Sequence, residues 1–182
     1  PGKRTDLKAV CDMVKTGTSL QEIASEHPDT WVKFGRGITS LKLILEKPYE
    51  HSDVRGIWIH GPSKTGKSHN ARLFADAQGG YYNKAQNKWW DGYNGEPCVI
   101  LDDMDNDALH HYIKIWGDKW ACTGETKGGT INIKHKWFII TSNESIEELF
   151  ALKPVVMRDA IRRRFREIEL VKQTDSVPEL SE

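Results

Sequence analysis

The chain has 182 residues, enough for one ordinary domain with its own core, or for one such domain carrying a small appendage. Charged residues make up 29% and hydrophobic residues 38%, a globular composition, and no run of about 18 apolar residues offers a membrane-spanning helix. Lysine plus arginine number 26, as do aspartate plus glutamate, so no global charge attracts a polyanion and any nucleic-acid contact must come from a local basic site.

The chain opens on Pro1-Gly2-Lys3-Arg4, with no initiator Met and no apolar signal core, and is expected to be a piece of something larger. Leu7, Val10, Cys11 and Val14 repeat at helical spacing behind Thr5 or Asp6 as N-cap, and Gly17 stops the run. Ser19-Leu20-Gln21-Glu22 has the form of a capping box, which opens a short helix that Pro28 ends. Trp31, Phe34, Ile38, Leu41 and Leu45 mark a third helical stripe before Pro48. Residues 1–47 thus read as a small helical bundle, either a packing appendage or a collar that contacts another subunit.

Residues 53–171 read as α/β. Gly56–His60, Pro97–Leu101 and Trp137–Thr141 are apolar strands; Lys67–Ala77 is a helix with Ala71, Phe74 and Ala75 inward, and further helical segments fall at about 105–117 and 145–165. Strands alternating with helices predict a mostly parallel sheet with both faces covered. Residues 172–182 are polar, with Pro178 near the end, and are expected to be a disordered tail. Cys11, Cys98 and Cys122 form no paired spacing, which argues against a zinc site or a disulfide framework and fits a reducing compartment. The seven histidines include no His-x-His pair, and the adjacent His110 and His111 would diverge on a helix.

Chemistry concentrates in Gly61-Pro62-Ser63-Lys64-Thr65-Gly66-Lys67-Ser68, a full match to G-x-x-x-x-G-K-[ST] placed between a strand and a helix. Such a loop turns successive N–H groups toward a phosphate, and the helix N-terminus adds positive partial charge. Lys67 would reach the β- and γ-phosphates of ATP, and the Ser68 hydroxyl would ligate Mg²⁺. Val99-Ile100-Leu101-Asp102-Asp103 supplies the acidic partner at a strand end: Asp102 for the metal through water, Asp103 to orient or deprotonate an attacking water. With Asp105 and Asp107 nearby, a helix N-cap is the alternative for this pair. Asn143 ends the third strand and is read as a neutral contact to the γ-phosphate or the water, or else as the cap of the helix that follows.

These strings, together with Asn87-Lys88-Trp89-Trp90-Asp91-Gly92-Tyr93, Glu125-Thr126-Lys127-Gly128-Gly129-Thr130 and Ile140-Thr141-Ser142-Asn143, resemble the superfamily 3 helicases of the AAA+ class. The resemblance is strongest to the helicase domain of replication-associated proteins of circovirus type and spans roughly residues 3–170. It implies an AAA+-type P-loop ATPase fold and a homo-oligomeric, hexameric ring. It further implies 3′→5′ movement on single-stranded DNA, a preceding nuclease domain that this chain lacks, no membrane association, and residence in the host nucleus. Superfamily 3 proteins also act on RNA, which leaves an RNA helicase open; a kinase-like phosphotransferase and a nucleotide-switched assembly module are the remaining alternatives.

The family's hairpin grips the single strand inside the ring. Lys127 with Gly128-Gly129 suits that role, as a cation on a tight turn between two stretches able to pair; a solvated turn is the alternative. Lys134, His135 and Lys136 form a second basic cluster. In Ala160-Ile161-Arg162-Arg163-Arg164-Phe165, Arg163 or Arg164 resembles the arginine finger that reaches a neighbouring subunit's γ-phosphate; a solvated basic helix end is the alternative. Trp89-Trp90 reads as core in preference to a base-stacking platform. Tyr81-x-x-Lys84 has the form of the nuclease motif but lacks its histidine partner.

Overall fold

The computed structural model describes residues 5–171. The first three helices are α1 (Thr5–Lys15), α2 (Leu20–Glu26) and α3 (Pro28–Leu45). Val10 and Val14, one turn apart on α1, meet Ile23 and Ile38 in a small core of their own. Gly17, at φ 84°, ends α1 where a side chain would be strained. The helix already includes Thr5 and Asp6, so neither caps it; the Asp6 carboxylate accepts from the Thr30 hydroxyl of α3 at 3.2 Å. Only the serine half of the expected capping box forms, with Ser19 Oγ accepting the Glu22 N–H at 3.1 Å. Pro28 ends α2 and also opens α3, where its missing N–H leaves no helical bond unmade. None of the described helices is long and apolar enough to cross a membrane.

The remaining elements are β1 (Gly56–His60), α4 (Lys67–Ala77), β2 (Tyr81–Asn83), β3 (Cys98–Leu101), α5 (His110–Trp116), β4 (Cys122–Thr126), β5 (Gly129–Ile133), β6 (Trp137–Ser142), α6 (Ile146–Leu149), α7 (Val155–Arg162) and β7 (Phe165–Glu169). Five strands form one sheet in the order β2-β3-β6-β1-β7, parallel at every pairing, while β4 and β5 form a separate antiparallel hairpin. Period-two alternation splits the central strands between two cores. Trp58, Val99, Leu101, Phe138 and Ile140 pack with α5 and α7, whereas Ile57, Ile59, Ile100 and Ile139 pack under Ala71 and Ala75 of α4. Burial on both faces explains why these strands are nearly unbroken apolar runs.

Two expectations change. The segment 145–165 is not one helical stretch: it divides at Pro154 into α6 and α7, and Phe165 begins a strand. That edge strand, Phe-Arg-Glu-Ile-Glu, exposes most of its residues, so it lacks a core strand's apolar signature. Phe74 was expected inward but is 36% exposed, meeting Trp137 edge-on at the margin of the core with ring centroids 5.4 Å apart. The expected tail, 172–182, lies outside the described residues.

The helical unit is fastened to the hairpin. Glu46, just past α3, pairs with Lys134, accepts from Asn132 Nδ2 at 3.2 Å, and lies 3.4 Å from Lys42. Burial alone would raise the Glu46 pKa, yet the bonds from Lys134 and Asn132 outweigh it and hold the carboxylate below its ordinary value.

Candidate functional site: a phosphate loop at three strand ends

β1, β6 and β3 are adjacent and parallel, so their C-terminal ends open on one edge of the sheet, the usual place for ligands in such folds. The phosphate loop leaves β1 there. Gly61 has φ 142°, and a Cβ at that position would lie 2.0 Å from the Leu170 carbonyl oxygen, so no other residue fits. Lys64 (φ 66°) and Gly66 (φ 83°) both turn left-handed, curling the backbone onto the N-terminus of α4. Backbone N–H groups gathered this way form an anion nest, reinforced by the helix dipole. Thr65 Oγ1 bonds the Pro62 carbonyl at 2.9 Å and braces the curl.

Lys67 opens α4 and is buried; its ammonium donates to the carbonyls of Gly61 (2.7 Å) and Pro62 (2.8 Å) and to Asn143 Oδ1 (3.0 Å). Asn143 is free for this contact because α6 is capped by Ser145, which forms a complete capping box with Glu148. The Ser68 hydroxyl donates to Asp102 Oδ1 at 2.6 Å, the Thr141 hydroxyl donates to the same oxygen, and Arg72 Nη2 donates to Oδ2 at 2.9 Å. For Asp102, burial is the largest single influence and acts to raise the pKa. The bonds from Ser68, Thr141 and Arg72 together overcome it, and the carboxyl titrates below its ordinary value.

Asp103 takes φ 52°, a left-handed conformation that is strained for a residue with a side chain. Its N–H donates to Thr141 Oγ1 at 2.9 Å, and its carbonyl accepts from Gln86 Nε2 at 2.9 Å. The acidic pair does not cap a helix, since α5 begins only at His110 and Asp107 is paired with Lys153 at 3.2 Å. A cavity of about 660 Å³ is lined by the loop from Ser63 to His69, by Asp103, Met104 and Asp105, and by Ser142, Asn143 and Glu144. The oxygens of Ser68 and Asp102 are a hard donor pair with the carboxylate held ionised. That suits Mg²⁺, which takes few protein ligands and completes its shell with water and phosphate oxygens.

Sequence reasoning missed Arg72, Thr141 and Gln86 as members of this network. Arg72 lies one turn beyond Ser68 on α4, a spacing that could have revealed it, and Thr141 stood inside a string already singled out. Gln86 reaches the strand end from a loop and carries no local signal.

The second cluster of expected residues lies on the hairpin. Thr126 faces Gly129 across a two-residue turn, Lys127-Gly128, and the Lys127 N–H donates to Asp91 Oδ1 at 3.1 Å while its side chain is exposed. Lys134 is tied to Glu46, Lys136 is exposed, and His135 is not part of a basic surface at all. His135 is fully buried, its Nε2–H bonded to the Trp116 carbonyl at 2.7 Å and its ring stacked on Trp90. Burial pushes its pKa down to about 3. Trp90 is itself core, between His135 and Tyr82, whereas Trp89 is half-buried under the Lys88 ammonium.

His135 therefore has a pH consequence. Its folded pKa lies below the unfolded value of 6.5, so the native state binds fewer protons between pH 3 and 6.5, and stability falls as pH drops through that window. Between pH 6.5 and 5 the loss should be about 2 kcal/mol, with His51 adding in the same direction. Urea midpoints measured across this range should decline in the native sequence and decline less in His135→Gln.

The three arginines differ sharply. Arg162 faces Glu147 at 3.7 Å; Arg164 is bound within its own chain, to Asp118 at 2.8 Å and to the Ala160 carbonyl at 2.6 Å. Arg163, the C-cap of α7, is exposed, bonds only the Asp159 carbonyl at 3.3 Å, and has no carboxylate partner among the described residues.

Comparison with known proteins adds a family. The RNA helicase family model matches residues 57–127, from β1 to the hairpin turn. The replication-associated protein of Porcine circovirus 1 is 35% identical over 98% of this chain and 59% of its own length. That of Porcine circovirus 2 is 34% identical, covering 90% and 52%, and that of Human associated cyclovirus 1 is 36% identical, covering 78% and 53%. The chain thus spans a little over half the length of these relatives. Among solved structures, NtrX from Brucella abortus matches with a TM-score of 0.43 at 20% identity, covering 64% of this chain and 32% of that one. With its phosphate loop, acidic strand end and hairpin in one α/β unit, the chain belongs with the circovirus-type replication-associated proteins and carries their superfamily 3 helicase domain.

Proposed function

We propose that the chain is an ATP-hydrolysing motor that moves 3′→5′ on single-stranded DNA and unwinds duplex during replication, within an AAA+-type hexameric ring. The observation that carries this reading is the bonded set Lys67–Asn143 and Ser68–Asp102–Thr141, which joins three strand ends around one cavity. In it, the loop N–H groups and Lys67 bind the β- and γ-phosphates of ATP. Ser68 and Asp102 hold Mg²⁺, which supplies charge neutralisation at those phosphates. Asp103 takes a proton from the water that attacks the γ-phosphorus, the bond to the β-γ bridging oxygen breaks, and Asn143 steadies the water or the γ-phosphate without adding charge. Arg163 serves as the finger toward a neighbouring subunit, in preference to Arg164 with its internal partners. Lys127 contacts a strand phosphate, with Gly128 allowing close approach and Lys136, then Lys134, as secondary contacts. A nuclease domain in the longer protein and action in the host nucleus belong to the same reading.

The RNA helicase match favours one second reading, RNA as the strand. Both are tested by ATP turnover and unwinding with single-stranded DNA and with RNA. Lys127→Ala is expected to keep turnover without a strand, yet to lose stimulation and unwinding by about tenfold or more, since one phosphate contact is repeated in every subunit. Stimulation by DNA alone supports the first reading and by RNA alone the second. Unwinding unchanged in Lys127→Ala would remove the hairpin from the mechanism.

A further inference from the structure

Residues 84–91 touch both functional regions at once. At one end, Gln86 Nε2 donates to the carbonyl of Asp103, whose left-handed conformation is held by that bond and by Thr141. The loop carrying Gln86 is itself pinned: the Lys84 ammonium, only 4% exposed, donates to the carbonyls on either side, Ala85 and Asn87, and lies over the rings of Trp90 and Trp116. At the other end, the Trp90 N–H donates to the Glu125 carbonyl at 2.9 Å, Lys88 pairs with the Glu125 carboxylate at 2.7 Å, and Asp91 accepts the Lys127 N–H. Trp90 is fully buried, so the segment is anchored in the core at its hairpin end as it is by Lys84 at the other.

We propose that residues 84–91 are the mechanical link between the nucleotide site and the hairpin, with Gln86 positioning Asp103 at one end and Lys88 and Asp91 positioning the Lys127 turn at the other. This rests on the helicase reading and adds to it the route by which a bound strand changes turnover. Asp103 is held in a strained conformation by bonds from two different elements, so a shift of the segment at its hairpin end would reach Asp103 through Gln86. Contiguity motivates the link; the coupling itself is measurable.

The test is ATP turnover of the 182-residue chain without strand and at saturating strand, for the native sequence, Asp91→Ala, Lys88→Glu, Glu125→Lys and the double reversal Lys88→Glu/Glu125→Lys. The Lys88–Glu125 pair is exposed at both ends, so its loss should leave the fold intact. Each single variant is expected to keep the strand-free rate within about twofold while the stimulation ratio falls about 2- to 30-fold. The double reversal should recover at least half of that ratio, which assigns the loss to the Lys88–Glu125 contact itself. Full stimulation in both Lys88→Glu and Asp91→Ala, or an equal fall in both rates, overturns the link alone. A native chain that neither turns over ATP nor responds to any strand overturns the helicase reading and the link with it.

Discussion

Replacing Lys67 with alanine is expected to reduce ATP turnover by about 10³-fold or more and to weaken nucleotide binding. Removing a single preorganised donor from a developing phosphoryl charge commonly costs about 10²–10³ in rate. Lys67 is also the cation at the centre of the loop, so the loss should lie at or beyond the upper end. Its ammonium touches the loop carbonyls at Gly61 and Pro62 and the side-chain amide of Asn143. The substitution therefore removes the group that joins the β1 end to the β6 end, and not just a point charge. Truncation also leaves two loop carbonyls without their donor, which can cost about 1–3 kcal/mol of stability if water does not replace it. Lys67→Met keeps the aliphatic stem and separates the two effects. A well-folded Lys67→Met with native turnover, read by a coupled phosphate-release assay alongside thermal melting, would remove the phosphate loop from catalysis.

What the sequence showed of this molecule follows burial and locality. β1, β3 and β6 were legible because they are covered on both faces, so apolar residues run on without interruption. β7 was not, because among the described residues it pairs only with β1 and exposes Arg166, Glu167 and Glu169, so no apolar run marks it. Within the site, Lys67, Ser68, Asp102 and Asn143 were legible because each stands at a strand end or helix start that its own neighbours in sequence define. Gln86 was invisible because its role depends on a loop folding over the end of β3. The basic string Lys134-His135-Lys136 misled for a different reason. Alternation along β5 and its extension puts Ile133 and His135 on the same buried side and leaves Lys134 and Lys136 outside, so residues adjacent in sequence have opposite environments.

The proposed finger, Arg163, carries the largest expected rate effect. Arg163→Ala is expected to lower turnover by about 10³–10⁵, the range that such a residue supplies in other P-loop enzymes. Arg164→Ala has a different expectation, because Arg164 is bonded to Asp118 and Ala160 of its own chain and its carbonyl accepts the N–H of Gly56 at the start of β1. Its loss should appear first as reduced stability, by about 1–3 kcal/mol for a half-buried charged bond left unmade, with turnover falling in proportion to folded protein. Mixing decides whether Arg163 acts across a subunit boundary. Arg163→Ala subunits retain an intact phosphate loop, and Lys67→Ala subunits retain an intact arginine, so a mixed assembly contains boundaries at which both are present. Turnover should rise above the sum of the two separate variants, with a maximum near equal proportions, and should depend on total protein concentration. A strictly additive response across all proportions would mean that Arg163 does not complete a neighbour's site, and the fall in the single variant would then have to come from within its own chain.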